Sequence, residues 1–195
     1  MKMMNHFVVE LDKTLHDTIT TDGGMELYVD NRFNDFDHRV VEGPVKATPQ
    51  KHDLPVRPGD TLYFHHLVVL QEGQKLTGSD KDYMVLYDPD VCVSNQAIAY
   101  KDQDTGEVRS LGQWCLLEAV DQEDELVSEI LEIIDNKEKL PTEGRVWCGN
   151  DHTTQLGVKV GDVVGFRKNM DYRIMIDGEE KYRVDSDDLL YVHND

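Results

Sequence analysis

His65-His66 is a direct pairing of metal-ligand side chains in this chain, and Asp102-Gln103-Asp104-Thr105-Gly106-Glu107 opens with the oxygen-donor spacing of a calcium loop. Neither completes the chemistry. Adjacent residues on a strand point to opposite faces, so the two imidazoles would not chelate one ion. The acidic stretch places Gln113 where the twelfth position of a calcium loop needs a bidentate Glu, and it reads as a polar turn. Asp187-Asp188 and Glu179-Glu180 offer paired carboxylates that read as solvated turns. Ser, His and Asp are present, but without a nucleophile elbow or an ordered triad. Gly23-Gly24 lacks the Lys and Ser of a phosphate loop, and a hairpin tip with no binding role is its plain reading. The expectation is a protein that is not an enzyme, with no cofactor and no metal.

Binding is the chemistry left. Gly23, Gly24, Met25, Glu26 and Leu27 set two glycines before two apolar side chains, between the polar flanks Thr14–Asp22 and Asp30–Asp37. Such a segment can stay solvated when free and order in a partner's apolar groove. A second candidate lies within Gln122–Lys139, where Leu126, Ile130, Ile133 and Ile134 recur at helical spacing among acidic residues. Asp121 or Asp124 would cap that helix. Ile130, Leu131 and Ile133 are its contact candidates, on a helix that either packs against its own domain or lies in a groove; the segment is helix or loop.

A formal charge of −19 over 195 residues argues against nucleic acid, whose phosphates demand clustered Lys and Arg. It suits partners with basic or apolar sites. Cys92, Cys115 and Cys148 are odd in number and widely spaced, and they read as free, mostly buried thiols of a reducing compartment. No run reaches the roughly eighteen apolar residues of a membrane span, and Met1–Glu10 is too poor in them for a signal peptide. The expected location is the cytoplasm.

Short apolar runs punctuated by Gly, Pro, Asn and Asp predict small antiparallel β domains. Expected strands are Phe7–Leu11, Arg39–Ala47, Thr61–Leu70, Tyr83–Tyr87 and Val91–Ala99, then Gln113–Val120, Gly144–Cys148, Asp162–Arg167, Tyr172–Ile176, Lys181–Val184 and Leu189–His193. Asp177-Gly178 marks a hairpin turn. Trp114 and Trp147 are expected in the core. The layout occurs twice. Gly59-Asp60 and Gly161-Asp162 lie 102 positions apart, and Glu42-Gly43 and Glu143-Gly144 lie 101 apart. A period of about a hundred residues is a domain duplication rather than a solenoid repeat. The expected domains are 1–105 and 106–195, joined through the polar stretch Lys101–Glu107.

Gly157-Val158-Lys159-Val160-Gly161-Asp162-Val163-Val164-Gly165-Phe166, followed by Tyr182–Val192 with its Ser186-Asp187-Asp188, resembles the closing half of a GroES-type co-chaperonin subunit. Thr21–Leu27 sits where that family carries its Gly-Gly mobile loop. The resemblance implies an all-β fold of two tandem GroES-like β-barrels, with a short helix in the second unit if Gln122–Lys139 is helical. It implies a GroEL-type chaperonin as partner, a homo-oligomeric ring, and contact through Gly23, Gly24, Met25, Glu26 and Leu27, with Ile130, Leu131 and Ile133 as a second anchor. Two departures stand out: Glu26 occupies the place of the family's Val, and the second unit has no Gly-Gly. The intervals Thr48–Leu54 and Gly149–Leu156 are too short for a full roof hairpin, a trait shared with phage-encoded GroES replacements. A structural or virion-assembly protein that keeps the barrel without the chaperonin contact is the alternative. A ligand-binding barrel or hydrolase would need a pocket with convergent polar groups.

Overall fold

Runs rich in Val, Leu, Tyr and Phe between Gly, Pro and Asp breaks favour strands over helices. The computed structural model describes residues 2–16, 18–21, 23–28, 36–70, 75–90, 94–120 and 142–193, and these are mostly β. The chain divides into two compact units, Met1–Gly112 with Met175–Asp177, and Gln113–Ile174 with Gly178–Asp195. Among the described residues no helix is long and apolar enough to cross a membrane.

The first unit contains β1 (His6–Glu10), β2 (Thr18–Thr20), β3 (Glu26–Tyr28), β4 (Glu42–Ala47), β5 (Thr61–Phe64), helix α1 (Leu67–Leu70), β6 (Asp82–Leu86), β7 (Ala97–Lys101) and β8 (Val108–Ser110). Six of its strands form one sheet in the order β6-β1-β4-β5-β7-β8, and β2 and β3 form a hairpin of their own. Antiparallel pairing fixes which side chains turn inward: along β4, Gly43 and Val45 are buried while Glu42, Pro44 and Lys46 are exposed. Phe7, Val9, Leu62, Phe64 and Val85 close the core, each contributing about 1.5–3 kcal/mol by burial.

The second unit contains β9 (Trp114–Ala119), β10 (Glu143–Cys148), helix α2 (Asp151–Gln155), β11 (Val163–Phe166), the first three residues of β12 (Tyr172–Ile176), β13 (Glu179–Asp185) and β14 (Leu189–His193). Its sheet order is β12-β13-β9-β10-β11-β14, over a core that includes Cys115, Leu117, Val146, Val164, Phe166 and Val184. Asp177 (φ 53°) and Gly178 (φ 81°) both adopt the left-handed conformation that a two-residue hairpin turn requires.

Several expectations are revised. The strand expected over Thr61–Leu70 stops at Phe64, and Leu67–Leu70 is one helical turn that buries Val68 and Val69. An unbroken apolar run has no period to separate strand from helix. The strand expected from Val91 is Ala97–Lys101, with 91–93 outside the described residues. Asp102–Glu107 is the turn of the β7–β8 hairpin rather than a joint, and the unit boundary follows Gly112. Helix α2 is new to the reading: Asn150 caps it by accepting from Thr153 N–H, and Thr153 answers the Asn150 N–H. The helix or loop expected over Gln122–Lys139 lies outside the described residues.

Candidate functional site

Polar turn chemistry and two adjacent glycines make the β2–β3 hairpin. Thr21 O accepts from Gly24 N–H at 2.8 Å, Thr21 Oγ1 accepts from Met25 N–H at 3.2 Å, and Thr21 N–H donates to Met25 O at 2.9 Å. Gly24 at φ 77° takes the left-handed position that ends such a turn. The ladder continues as Thr20↔Glu26, Ile19↔Leu27 and Thr18↔Tyr28. Of the two expectations for Gly23-Gly24, an extended solvated loop or a hairpin tip, the structure has the hairpin tip.

A neck fixes the hairpin's base. Leu15 bridges Arg39, His16 N–H donates to His38 O at 2.9 Å, and His38 Nδ1–H donates back to His16 O at 2.7 Å. The sequence reading missed His16 and His38, because a reciprocal contact across more than twenty residues leaves no local pattern.

The hairpin displays what a core would hide. Met25 is 64% exposed, Leu27 47% and Tyr28 84%. Exposed apolar side chains gathered on one hairpin make a candidate contact surface. Strand alternation puts Met25 and Leu27 on one face and Glu26 and Tyr28 on the other. Glu26 and Tyr28 border an open cleft of about 560 Å³, whose wall includes Lys13, Lys75, Lys81 and Tyr83. Gly23, Gly24, Met25, Glu26 and Leu27 are thus brought together. Ile130, Leu131 and Ile133 lie outside the described residues.

The groups that could have carried catalysis are placed otherwise. His65 and His66 follow the end of β5, so strand alternation does not separate them; their rings stack at 4.6 Å. Among the described residues no three His, Cys, Asp or Glu side chains gather as a metal site. Asp102 Oδ1 accepts from Asp104 and Thr105 N–H, while its other oxygen and Asp104 share the Arg57 guanidinium. Those backbone donors hold the Asp102 carboxyl below its usual range. Asp188 is buried against Arg167 at 2.7 Å, whereas Asp187 is exposed. Glu179 and Glu118 hold the buried Lys181 ammonium, which also lies 4.9 Å from the Trp147 ring centroid. Glu180 accepts from Tyr182 and Arg173, each at 2.6 Å. Burial pushes the Cys115 thiol up to about 12, leaving it protonated and a poor nucleophile. Cys148 is half-buried, in no disulfide, with its thiol donating to Gly149 O at 3.7 Å, and Cys92 lies outside the described residues. Trp114 is buried with the Arg183 guanidinium 4.0 Å over its ring, whereas Trp147 is only half-buried.

No protein-family model and no curated protein sequence matches this chain.

Proposed function

We propose that this protein is a tandem co-chaperonin-like cap, two GroES-type barrels in one chain, which docks on a GroEL-type chaperonin and assists folding in the chamber it closes. The observation that carries the reading is the exposed Met25/Leu27 face of a hairpin held by its own neck. Paired strands lose little further backbone freedom on docking, and two apolar anchors at i and i+2 suit an apolar groove. Such an anchor pair is weak alone; repetition around a homo-oligomeric ring would multiply it. In this reading each six-stranded sheet curls into a small closed barrel, Ile130, Leu131 and Ile133 supply a second anchor, and the cap works in the cytoplasm, of a host cell if the chain is phage-encoded. It performs no chemistry, needs no cofactor, and engages neither nucleic acid nor membrane.

Size-exclusion co-elution with a GroEL-type chaperonin tests it. ATP-dependent co-elution is expected, and the Met25→Asp/Leu27→Asp double variant is expected to abolish it. Absence of co-elution in any nucleotide state would overturn the reading. One observation favours the second reading, a structural or virion-assembly protein: β2 and β3 are already paired where a mobile loop is expected.

A further inference from the structure

The geometry points to Glu26 as a positioning residue that seats the hairpin's polar face over the cleft beside it, and so turns Met25 and Leu27 outward. The argument begins with charge. The chain carries −19, yet among the described residues the body side of the cleft presents Lys13, Lys75 and Lys81 with Asp12 and Asp80. Among the described residues that wall carries one more lysine than carboxylates, and Glu26 is the hairpin's carboxylate lining the same cleft. Across such an open cleft an attraction is screened over roughly 8 Å at physiological ionic strength, so its strength must depend on salt.

The three lysines differ in what occupies them. Lys13 Nζ donates to Thr18 Oγ1 at 2.6 Å, which ties β2 to the stem. Lys81 faces Asp12 at 2.6 Å. Lys75 lies 5.6 Å from the centroid of the Tyr83 ring, on the cleft wall. Among the described residues, Lys75 is thus the one of the three whose ammonium has neither a hydroxyl nor a carboxylate partner, and its charge is the one a hairpin carboxylate can answer. Because strand alternation separates Glu26 from its neighbours, whatever draws Glu26 toward the cleft drives Met25 and Leu27 away from it. The charge between two apolar anchors then needs no cation on the partner, since its answer lies on its own unit.

The consequence for docking rests on the proposed function, but the positioning itself does not, and the experiment separates them. Amide exchange of the free protein is followed at β2 and β3, with β1 and β4 amides reporting that the unit stays folded. Glu26→Lys is expected to speed hairpin exchange about twofold to fivefold, the range of an exposed charge contact. Raising salt to 1 M, where the screening length is about 3 Å, is expected to do the same to the unmodified chain and much less to Glu26→Gln. The swap Glu26→Lys/Lys75→Glu is expected to restore slow exchange. Equal exchange in all variants, or failure of the swap to restore it, would overturn the positioning role while leaving chaperonin co-elution untouched as a separate result.

Discussion

The two units carry the same hydrogen-bond frame and fill it differently. In the first, Gly59 N–H donates to Val45 O, Val45 N–H to Asp60 O, Asp60 N–H to Arg57 O, and Arg57 N–H to Asp60 Oδ2. In the second, the same four bonds join Gly161, Val146, Asp162 and Lys159. Phe64 N–H donates to Val41 O as Phe166 N–H donates to Thr142 O. The register breaks of β5–β7 and β11–β14 also fall at matching positions, Tyr63/Phe64 and Gly165/Phe166. The side chains are exchanged instead. Tyr63 pairs with Ala99 in the first unit and Gly165 with Tyr191 in the second, so the ring is supplied from opposite strands of the same pair. The additions differ too: β8 extends the first sheet beyond β7, and β12 extends the second beyond β13. The two units thus share the turn that launches a strand and differ in their packing and edges.

The sharpest break in that likeness is expected at the paired aspartates. Asp60 is fully buried and accepts from Arg57 N–H at 2.7 Å and from Gln103 N–H at 3.1 Å, knitting its turn to the β7–β8 turn. Asp162 is half-buried and accepts from Lys159 N–H. Removing Asp60 strands two donors, so Asp60→Ala is expected to cost about 3 kcal/mol and Asp162→Ala about 1 kcal/mol. Both tryptophans lie in the second unit, so fluorescence during urea unfolding reads Asp162→Ala, and amide exchange at β1 and β5 reads Asp60→Ala. Equal costs would mean that the Gln103 bond contributes nothing.

A smaller difference is expected at Gly43 and Gly144. A methyl group at Gly43 would meet the tip of the Leu11 side chain, Cδ2, at 2.5 Å, which a rotamer change can relieve, and would sit 3.3 Å from Glu10 O. At Gly144 it would meet Leu117 Cβ at 2.8 Å and Glu118 O at 3.1 Å, atoms fixed to the backbone of β9. Gly144→Ala is therefore expected to destabilise its unit by about 2 kcal/mol and Gly43→Ala by under about 1 kcal/mol, measured as urea midpoints. The reverse order would place the strain in the β1–β4 pair.

The repeat was readable because its carriers are local: Gly-Asp turns need positive φ and a side-chain acceptor three residues on, and both leave a fixed trace in the chain. Gly59 and Gly161 adopt φ 101° and 95°. What escaped was set by distance or by burial. β8 is three residues, Val-Arg-Ser, with no alternation to see, and it exists because β7 offers an edge. Leu67–Leu70 is apolar all round, so only tertiary context could choose a turn of helix. At the candidate site, the apolar anchors Met25 and Leu27 and the Gly23-Gly24 tip were visible in the sequence, whereas the His16–His38 neck, a contact across more than twenty residues, leaves no local trace.

The gentlest test lies on the exposed face of the second sheet, where the exchanged tyrosine acquires an electrostatic role. Tyr191 OH donates to Glu143 Oε1 at 2.7 Å, and His193 Nε2 lies 3.1 Å from the same oxygen. The hydroxyl first, and then the imidazole, hold the Glu143 carboxyl below its ordinary value of about 4.3. A carboxylate whose folded pKa is depressed lends stability above its unfolded pKa and loses it as pH falls through the folded one. The Glu143 contribution is therefore expected to be complete above about pH 5 and to fade below about pH 4. Tyr191→Phe removes the larger cause, so the carboxyl titration, followed by NMR, is expected to move up toward 4.3. Gly165→Ala should act in the same direction, because a methyl there would strike the Tyr191 ring, with Cζ at 2.1 Å, and displace the hydroxyl it carries. An unchanged titration midpoint in Tyr191→Phe would reassign the shift to His193, and the exchange of tyrosine between strands would then be a matter of packing alone.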